Sequence, residues 1–237
     1  MDEACEVLGD DFAKNGNVNV APGGLTTTYP VEKGKMLNIV AARDQPTWDS
    51  PDWVVPADED TVKEEFKDCG PKMQQVVSLL KKPQKWSLWH HPTASTFYSG
   101  RLAIIGDAAH ASTPHQGAGC GQAFEDALVM CMLLAHSSVE TADDIERAFA
   151  AYDAIRRPRT LRVVETSREN GEVCMMKGAD TGEDLEKIKA NLDERFEWIW
   201  YENLEKQVDK AVQKLKQLNE GTSDAALPVL PQMVEAS

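Results

Sequence analysis

The stretch from Arg101 to Met130, RLAIIGDAAHASTPHQGAGCGQAFEDALVM, constrains the fold more than any other part of the chain. It opens on a fully apolar run, Leu102-Ala103-Ile104-Ile105, that ends at Gly106. Such a run suits a buried strand of a parallel sheet, because a strand covered on both faces loses the polar alternation. A turn rich in glycine and proline follows. From Cys120 onward the pattern becomes helical, with Phe124, Ala127, Leu128, Cys131 and Leu134 on one face. A strand, a glycine turn and a helix in that order predict an α/β protein with the turn at the carboxyl end of the strand.

The flanking sequence adds elements of both kinds. GGLTTTYPV (23–31) and KMLNIVAAR (35–43) read as strands joined by a hairpin-like turn in which Gly34 takes a positive φ. Pro30 predicts an edge position or a strand end, since it has no N–H for a ladder. Three- and four-residue steps through Val62, Phe66, Met73, Val76, Val77 and Leu80 predict helix, broken at Cys69-Gly70-Pro71. KWSLWHHP (85–92) alternates as a strand does. Thr141 followed by Asp144 is a capping-box pattern, and the helix it opens runs through Phe149 and Ile155 toward RRPR (156–159), where Pro158 predicts a bend or interruption. One amphipathic helix is expected through Leu185, Ile188, Leu192, Phe196 and Ile199, and another through Leu204, Val208, Val212 and Leu215. The tail from Gly221 is small and polar and predicts disorder. The expected class is mixed α/β with a helical C-terminal part.

Charge narrows the range of functions. The 237 residues carry 39 acids against 25 basic residues, a net charge of -14, which argues against general affinity for nucleic acid or an anionic membrane. No apolar run approaches the roughly 20 residues that span a bilayer. The acidic start MDEACEVLGDD has no apolar signal core, so an intracellular, cytoplasmic setting is expected. The five cysteines are scattered without a CxxC pair, which points to reduced thiols rather than a zinc site.

The turn has chemistry of its own. Asp107 stands at the carboxyl end of the apolar strand, where α/β sheets place their ligands and where a carboxylate accepts hydrogen bonds from ribose-type hydroxyls. Pro114, Gly117, Gly119 and Gly121 follow. Glycines let the backbone approach a ligand, and the helix start behind them offers free N–H groups and a positive dipole end to an anionic edge. A tight turn with no ligand remains the alternative, since the glycine spacing alone is weak evidence.

GDAAHASTPHQGAGCGQAFEDAL closely resembles the second flavin-binding motif of the class A FAD-dependent aromatic monooxygenases, in particular the salicylate hydroxylase-like, fungal branch. GGLTTTYPVEKGKMLNIVAARD is similar to the strand pair of that family's substrate domain. YDAIRRPRT matches the helix after the motif, and EWIWYENLEKQV resembles the C-terminal extension of fungal members. The resemblance implies a partial flavoprotein hydroxylase fold: a β-rich substrate-domain portion at 1–98, an FAD-binding segment at 99–170, a helical extension at 171–220 and a disordered tail at 221–237. It implies that Asp107 binds the ribityl or ribose hydroxyl region of FAD. Pro114 would lie near the isoalloxazine ring, and Gly117, Ala118 and Gly119 would present backbone N–H groups to its pyrimidine edge. The implied reaction uses NAD(P)H and O2 to hydroxylate a small phenolic aromatic compound. Glu125 and Asp126 are implied to be structural helix residues, and His110 to pack or hydrogen-bond within the motif. No catalytic base can be assigned.

One departure qualifies this. Such proteins open with a strand, a GxGxxG turn and a helix for the ADP moiety, and no such turn precedes residue 100. The expectation is therefore a chain corresponding to the last half to two thirds of a family member, binding FAD weakly or not at all by itself. Three readings stay open: a truncated monooxygenase, a non-catalytic remnant or interaction protein that keeps the scaffold, and half of a split enzyme whose partner chain supplies the dinucleotide-binding part. Among the other conspicuous residues, His110 and His115 lack a third metal ligand, and no metal site is expected. RRPR is expected to form salt bridges between domains, and Trp86, Trp89, Trp198 and Trp200 to pack in the core or between helices. Either Tyr29 or Asn38 is a candidate to line an aromatic site. Cys120 has no base beside it for nucleophilic work.

Overall fold

A computed structural model describes residues 1–45, 47–91 and 94–221. In chain order the helices and strands are α1 (Asp2–Leu8), α2 (Asp10–Lys14), β1 (Asn17–Ala21), β2 (Gly24–Val31), β3 (Met36–Arg43), β4 (Val54–Pro56), α3 (Glu59–Glu65), α4 (Pro71–Ser78), β5 (Gln84–Trp86), β6 (Tyr98–Ser99), β7 (Leu102–Ala103), α5 (Asp107–His110), α6 (Gly119–Leu134), α7 (Ala142–Cys174), α8 (Leu185–Arg195), α9 (Glu197–Trp200) and α10 (Leu204–Asn219). They group into two units, Met1–Leu88 with Glu169–Arg195, and Trp89–Arg168 with the residues from Phe196 on. Helix and strand are mixed, as expected.

In the first unit β1, β2 and β3 form an antiparallel sheet with β2 central. The turn between β2 and β3 holds Gly34 at φ 82, the positive value expected of it, and Glu32 and Lys33 are left-handed as well. Pro30 is tolerated for a visible reason. β1 pairs only with Gly24 to Thr28, so Pro30 lies beyond it and bonds toward β3 alone, opposite Leu37. The even-numbered face of β2 is buried through Thr26 and Thr28, whose hydroxyls accept from Asn19 (3.0 Å) and Asn17 (3.4 Å). Beneath the sheet Ala21, Val62, Phe66, Cys69, Met73 and Val77 form a core, so the steps read between 62 and 77 do mark packed helices. Gly70 caps α4 and Pro71 occupies its first turn, which accounts for the break. On the other face one end is covered, where Leu25 meets Cys174 and Met175. The rest leaves Val18, Tyr29, Met36 and Val40 exposed.

The strand expected at 85–92 is shorter. β5 stops at Trp86 because its antiparallel partner β4 has only three residues to pair with it; Pro92 lies outside the described residues. Trp86 on this ribbon is exposed, as are Trp89 and Trp200, whereas Trp198 packs as expected, under the guanidinium groups of Arg159 and Arg162.

In the second unit the core is Phe97, Ala109, Val129, Leu133, Ala148, Ala151, Tyr152, Ala211 and Leu215. The capping box at the start of α7 forms as read: Thr141 N–H donates to Asp144 (2.7 Å), and Asp144 N–H to the Thr141 hydroxyl (3.3 Å). The threonine hydroxyl, with the Glu140 and Thr141 amides, holds the Asp144 carboxyl down at about 2. The interruption allowed for at Pro158 does not occur: α7 runs for 33 residues through it. The lost backbone bond costs about 3 kcal/mol. Side-chain bonds on either side hold the turn in compensation: Arg157 pairs with Asp153 (3.0 Å), and Thr160 donates to the Arg156 carbonyl (3.1 Å). The helix expected to continue from Leu185 through Ile199 breaks at Phe196, which caps the short α9 and stacks on Trp200 at 4.8 Å. α10 runs as expected, with Ala211 and Leu215 buried.

Two expectations about the central stretch are corrected. The run 102–105 is not a buried strand of a parallel sheet. β7 is two residues long and pairs antiparallel with β6, and Leu102 is 70% exposed. Likewise Phe124 (71% exposed), Leu128, Met132 and Leu134 lie on the open side of α6, while Gln122, Asp126, Val129 and Leu133 face inward. The physical reason is that the inner side of α6 is held by a polar network rather than by its most apolar stripe. The tail expected to be disordered lies, from 222, outside the described residues.

Candidate flavin-binding turn

The site is carried by the segment from β7 to α6. Phe97 anchors it from below. Its ring is fully buried between His110 and Tyr152, its carbonyl accepts from Ile104 N–H (2.9 Å), and its own N–H donates to Asp153 (2.8 Å). Tyr152 donates its hydroxyl to the Ile104 carbonyl (3.1 Å), and burial pushes that phenol well above its ordinary range. The strand end is thus tied to α7 before the turn begins.

Gly106 then takes φ 58 and ψ -141. That region is essentially reserved for glycine. A Cβ there would stand 3.3 Å from the Ala123 methyl, a tight contact added to a conformation that already requires glycine. Asp107 opens α5 and is exposed. Downstream, Thr113 is buried and its carbonyl accepts from the Ser167 hydroxyl (2.5 Å). Pro114 begins a 3-10 turn and is exposed; Gln116 at its end is buried, and its amide oxygen accepts from Thr166 (3.0 Å). Gly117 is left-handed at φ 60, Ala118 caps α6, and Gly119 begins it. His115 is largely buried, and burial holds its imidazole below the ordinary value against an opposing bond from the Ser167 backbone.

All five residues read as candidates from the sequence therefore stand on one turn: Asp107, Pro114 and Gly117 exposed, Ala118 and Gly119 half-buried. At the start of α6 no side chain caps the helix, and no acid stands in its first turn. The N–H groups of Gly119, Cys120 and Gly121 have no acceptor within the helix. A Cβ at Gly117 would meet nothing within 4 Å. Free donors at a positive helix end, open space above Gly117 and an exposed carboxylate nearby in sequence fit a flat ligand with an anionic edge and hydroxyl-bearing chain.

Behind the turn lies a buried charge network that sequence spacing did not reveal. Arg156 is fully buried and all five of its N–H donors are used. Nε goes to Asp126 Oδ1 (2.7 Å), and Nη1 to Glu125 (2.5 Å) and Gln207 (2.8 Å). Nη2 goes to the carbonyl (3.1 Å) and the side-chain oxygen (2.8 Å) of Gln122. Arg159 also holds Glu125 (2.7 Å). The arginines of RRPR do form ion pairs as expected, all within the second unit; the pair of Arg159 with Glu202 (3.7 Å) joins the segments read as 99–170 and 171–220, and the others stay inside 99–170. Burial raises the Asp126 carboxyl, but bonds from His110, the Gly106 N–H and Arg156 outweigh it and leave it below the ordinary carboxylate value. Glu125 is lowered in the same way, its burial overcome by Arg159 and Arg156. His110, buried against Phe97, has the hydrogen-bonding role expected of it: Nε2 donates to Asp126 Oδ2 at 2.6 Å, since the carboxylate can only accept. The available sequence signal was Gln122, Glu125 and Asp126 at helical spacing, together with RRPR.

A family model described as an FAD binding domain matches residues 27–167. Over 229 residues the chain is 39% identical to the 6-methylsalicylate 1-monooxygenase of Aspergillus terreus, covering 95% of this chain and 50% of that protein. It is 36% identical over 195 residues to a salicylate hydroxylase of Pseudomonas putida, covering 79% and 44%. A solved salicylate hydroxylase substrate complex superposes with a TM-score of 0.80 at 37% identity, over 89% of this chain and 53% of that one. CtdE in complex with FAD and a substrate shares the fold at a TM-score of 0.73. The family match and the fold together define an FAD-binding flavoprotein. The chain belongs to the class A FAD-dependent aromatic monooxygenases of the salicylate hydroxylase type. It spans about half the length of the curated relatives it matches. Among the described residues no helix is long and apolar enough to cross a membrane, and no group of three or more His, Cys, Asp or Glu is placed to hold a metal ion.

Proposed function

We propose that this chain supplies the ring-binding part of an FAD-dependent monooxygenase that hydroxylates a small phenolic aromatic compound with NAD(P)H and O2, in the cytoplasm. FAD, when bound, provides the electron transfer and oxygen activation; the chain's residues bind and orient it. Asp107 accepts hydrogen bonds from hydroxyls of the ribityl or ribose region. The Ala118 and Gly119 amides meet the pyrimidine edge, where the helix dipole favours negative charge; the Gly117 N–H expected to join them already donates to the Pro114 carbonyl (3.0 Å), so Gly117 contributes its left-handed turn instead. Pro114 borders the ring. Segment 99–170 takes the flavin role, 1–98 the substrate role and 171–220 that of a helical extension. Tyr29 and Asn38, directly opposite each other on β2 and β3, offer a substrate-facing wall on the open side of the sheet. The observation that carries the reading is the uncapped start of α6 behind left-handed Gly117.

The test is a titration of the 237-residue chain with riboflavin, FAD and ADP, followed through the amide NMR signals of Gly117 to Gly121. Riboflavin and FAD are expected to shift those signals with similar, weak affinity, and ADP is expected to leave them alone. Tight stoichiometric FAD binding would contradict the assignment of only the ring half to this chain, and indifference to riboflavin would remove the flavin role.

A second reading, a scaffold that acts only with a separate polypeptide, is favoured by the exposed apolar residues Leu102, Ile105, Phe124, Leu128 and Met132. Co-purification of a polypeptide carrying a GxGxxG turn, with tight FAD binding restored, is its expected result; substrate-dependent NAD(P)H oxidation by this chain alone would exclude it.

A further inference from the structure

We infer that Asp126 is the positioning residue of the turn that carries Asp107, an inference that rests on the flavin reading above. Its two carboxylate oxygens divide the work. Oδ1 accepts from Arg156 Nε (2.7 Å), so the carboxylate is gripped from behind by a guanidinium whose other four donors are already committed. Oδ2 points at the turn and accepts twice, from the Gly106 N–H (2.9 Å) and from His110 Nε2 (2.6 Å). Those contacts bracket α5 at both ends, one residue before Asp107 and at the last residue of the helix. Gly106 adopts a conformation few residues hold, and glycine has little intrinsic preference to keep it there. The bond to Asp126 supplies that preference and thereby sets the direction in which Asp107 leaves the strand.

No neutral substitute can do this. The carboxylate is met by three donors, and it accepts from all of them. An asparagine has one oxygen and one NH2 group in that place. Turned one way its NH2 faces the Arg156 Nε–H; turned the other way it faces the Gly106 and His110 donors. Glu125 is the natural control. It belongs to the same buried network, bonds Arg156 and Arg159, and bonds no residue of the turn.

The experiment is amide hydrogen exchange of the full chain, read by NMR and mass spectrometry, for the wild type, Asp126→Asn and Glu125→Gln. In Asp126→Asn the Gly106 amide and residues 106–111 are expected to exchange at least about tenfold faster relative to the α7 core, the scale of one lost charge-assisted hydrogen bond. Glu125→Gln should leave that ratio as in the wild type. Equal loosening of α6, α7 and α10, or an unchanged Gly106 amide, would overturn the inference. If Asp126→Asn does not fold, His110→Ala takes its place, because it removes one turn contact and leaves the Asp126–Arg156 pair; unchanged exchange across 106–111 would then overturn it. Riboflavin titration of the same proteins separates the two claims. Wild-type chain that takes up no riboflavin fails the flavin reading, while the exchange data still decide the role of Asp126. A loosened turn with unaltered riboflavin affinity would show that positioning by Asp126 does not serve the ligand, and would overturn the inference on that ground.

Discussion

Replacing Arg156 by methionine tests the energetic claim on which the second unit depends. The side chain is fully buried and makes five hydrogen bonds to four residues. Methionine fills similar space but leaves Asp126 and Glu125 as buried carboxylates with fewer partners. Removing one side of a buried pair costs about 3–5 kcal/mol. The loss here should fall toward the lower end, because Asp126 keeps Gly106 and His110 and Glu125 keeps Arg159. Against a total stability of about 5–15 kcal/mol this is a large fraction. For a chain of this size each kcal/mol moves the melting point by about 2–4 °C, so a fall of roughly 6–12 °C is expected. The pH dependence has a definite sign. Asp126 and Glu125 are depressed in the folded state, so the stability they contribute is present above their unfolded values and is lost as pH falls through the lower folded ones. The gap between wild type and Arg156→Met should therefore be full at pH 7 and shrink below about pH 4. Urea unfolding followed by circular dichroism at both pH values reads it. A gap under about 1 kcal/mol at pH 7, or one of equal size at pH 3, would refute the claim that the guanidinium compensates these carboxylates.

Other outcomes follow from the same contacts. Gly106→Ala should cost about 1–3 kcal/mol, because the backbone there lies in a glycine-only region and the added methyl meets Ala123; thermal melts check it. Leu133→Ala should cost about 2–5 kcal/mol, whereas Phe124→Ala should stay within about 0.5 kcal/mol, and denaturant midpoints showing the reverse order would contradict the assignment of inner and outer faces to α6. The carboxyl carbon of Asp144 should titrate near pH 2 in an NMR series, and a midpoint near the ordinary aspartate value would mean that the capping box is open in solution.

Where residues interact with sequence neighbours, the fold was legible. The β2–β3 hairpin follows from two strand-like runs around Gly34, and the break between α3 and α4 follows from Gly70-Pro71, because a positive φ and a missing N–H act on the residue that carries them. The turn of Gly106, Pro114 and Gly117 was legible for the same reason. What holds that turn was not. Gly106 meets Asp126 20 positions away, and Arg156 meets Asp126 across 30 and Gln207 across 51. Local spacing carries no trace of such pairings, and an acidic pair on a helix reads as a solvated face until its partner is known.

The misreading of α6 has the same root. Periodicity identifies which residues share a helix face, but burial depends on what the opposing elements offer. Here α7 and α10 offer a saturated arginine and a glutamine, so the polar side of α6 is the side that can be buried without loss. Its apolar residues are left to the open side. An inward polar face is stable only when every donor and acceptor is matched. Arg156 meets that condition through five donors, and the match also leaves one oxygen of Asp126 free to grip the turn. The arrangement that cost the sequence reading its inner face is therefore the one that fixes the backbone on which Asp107 stands.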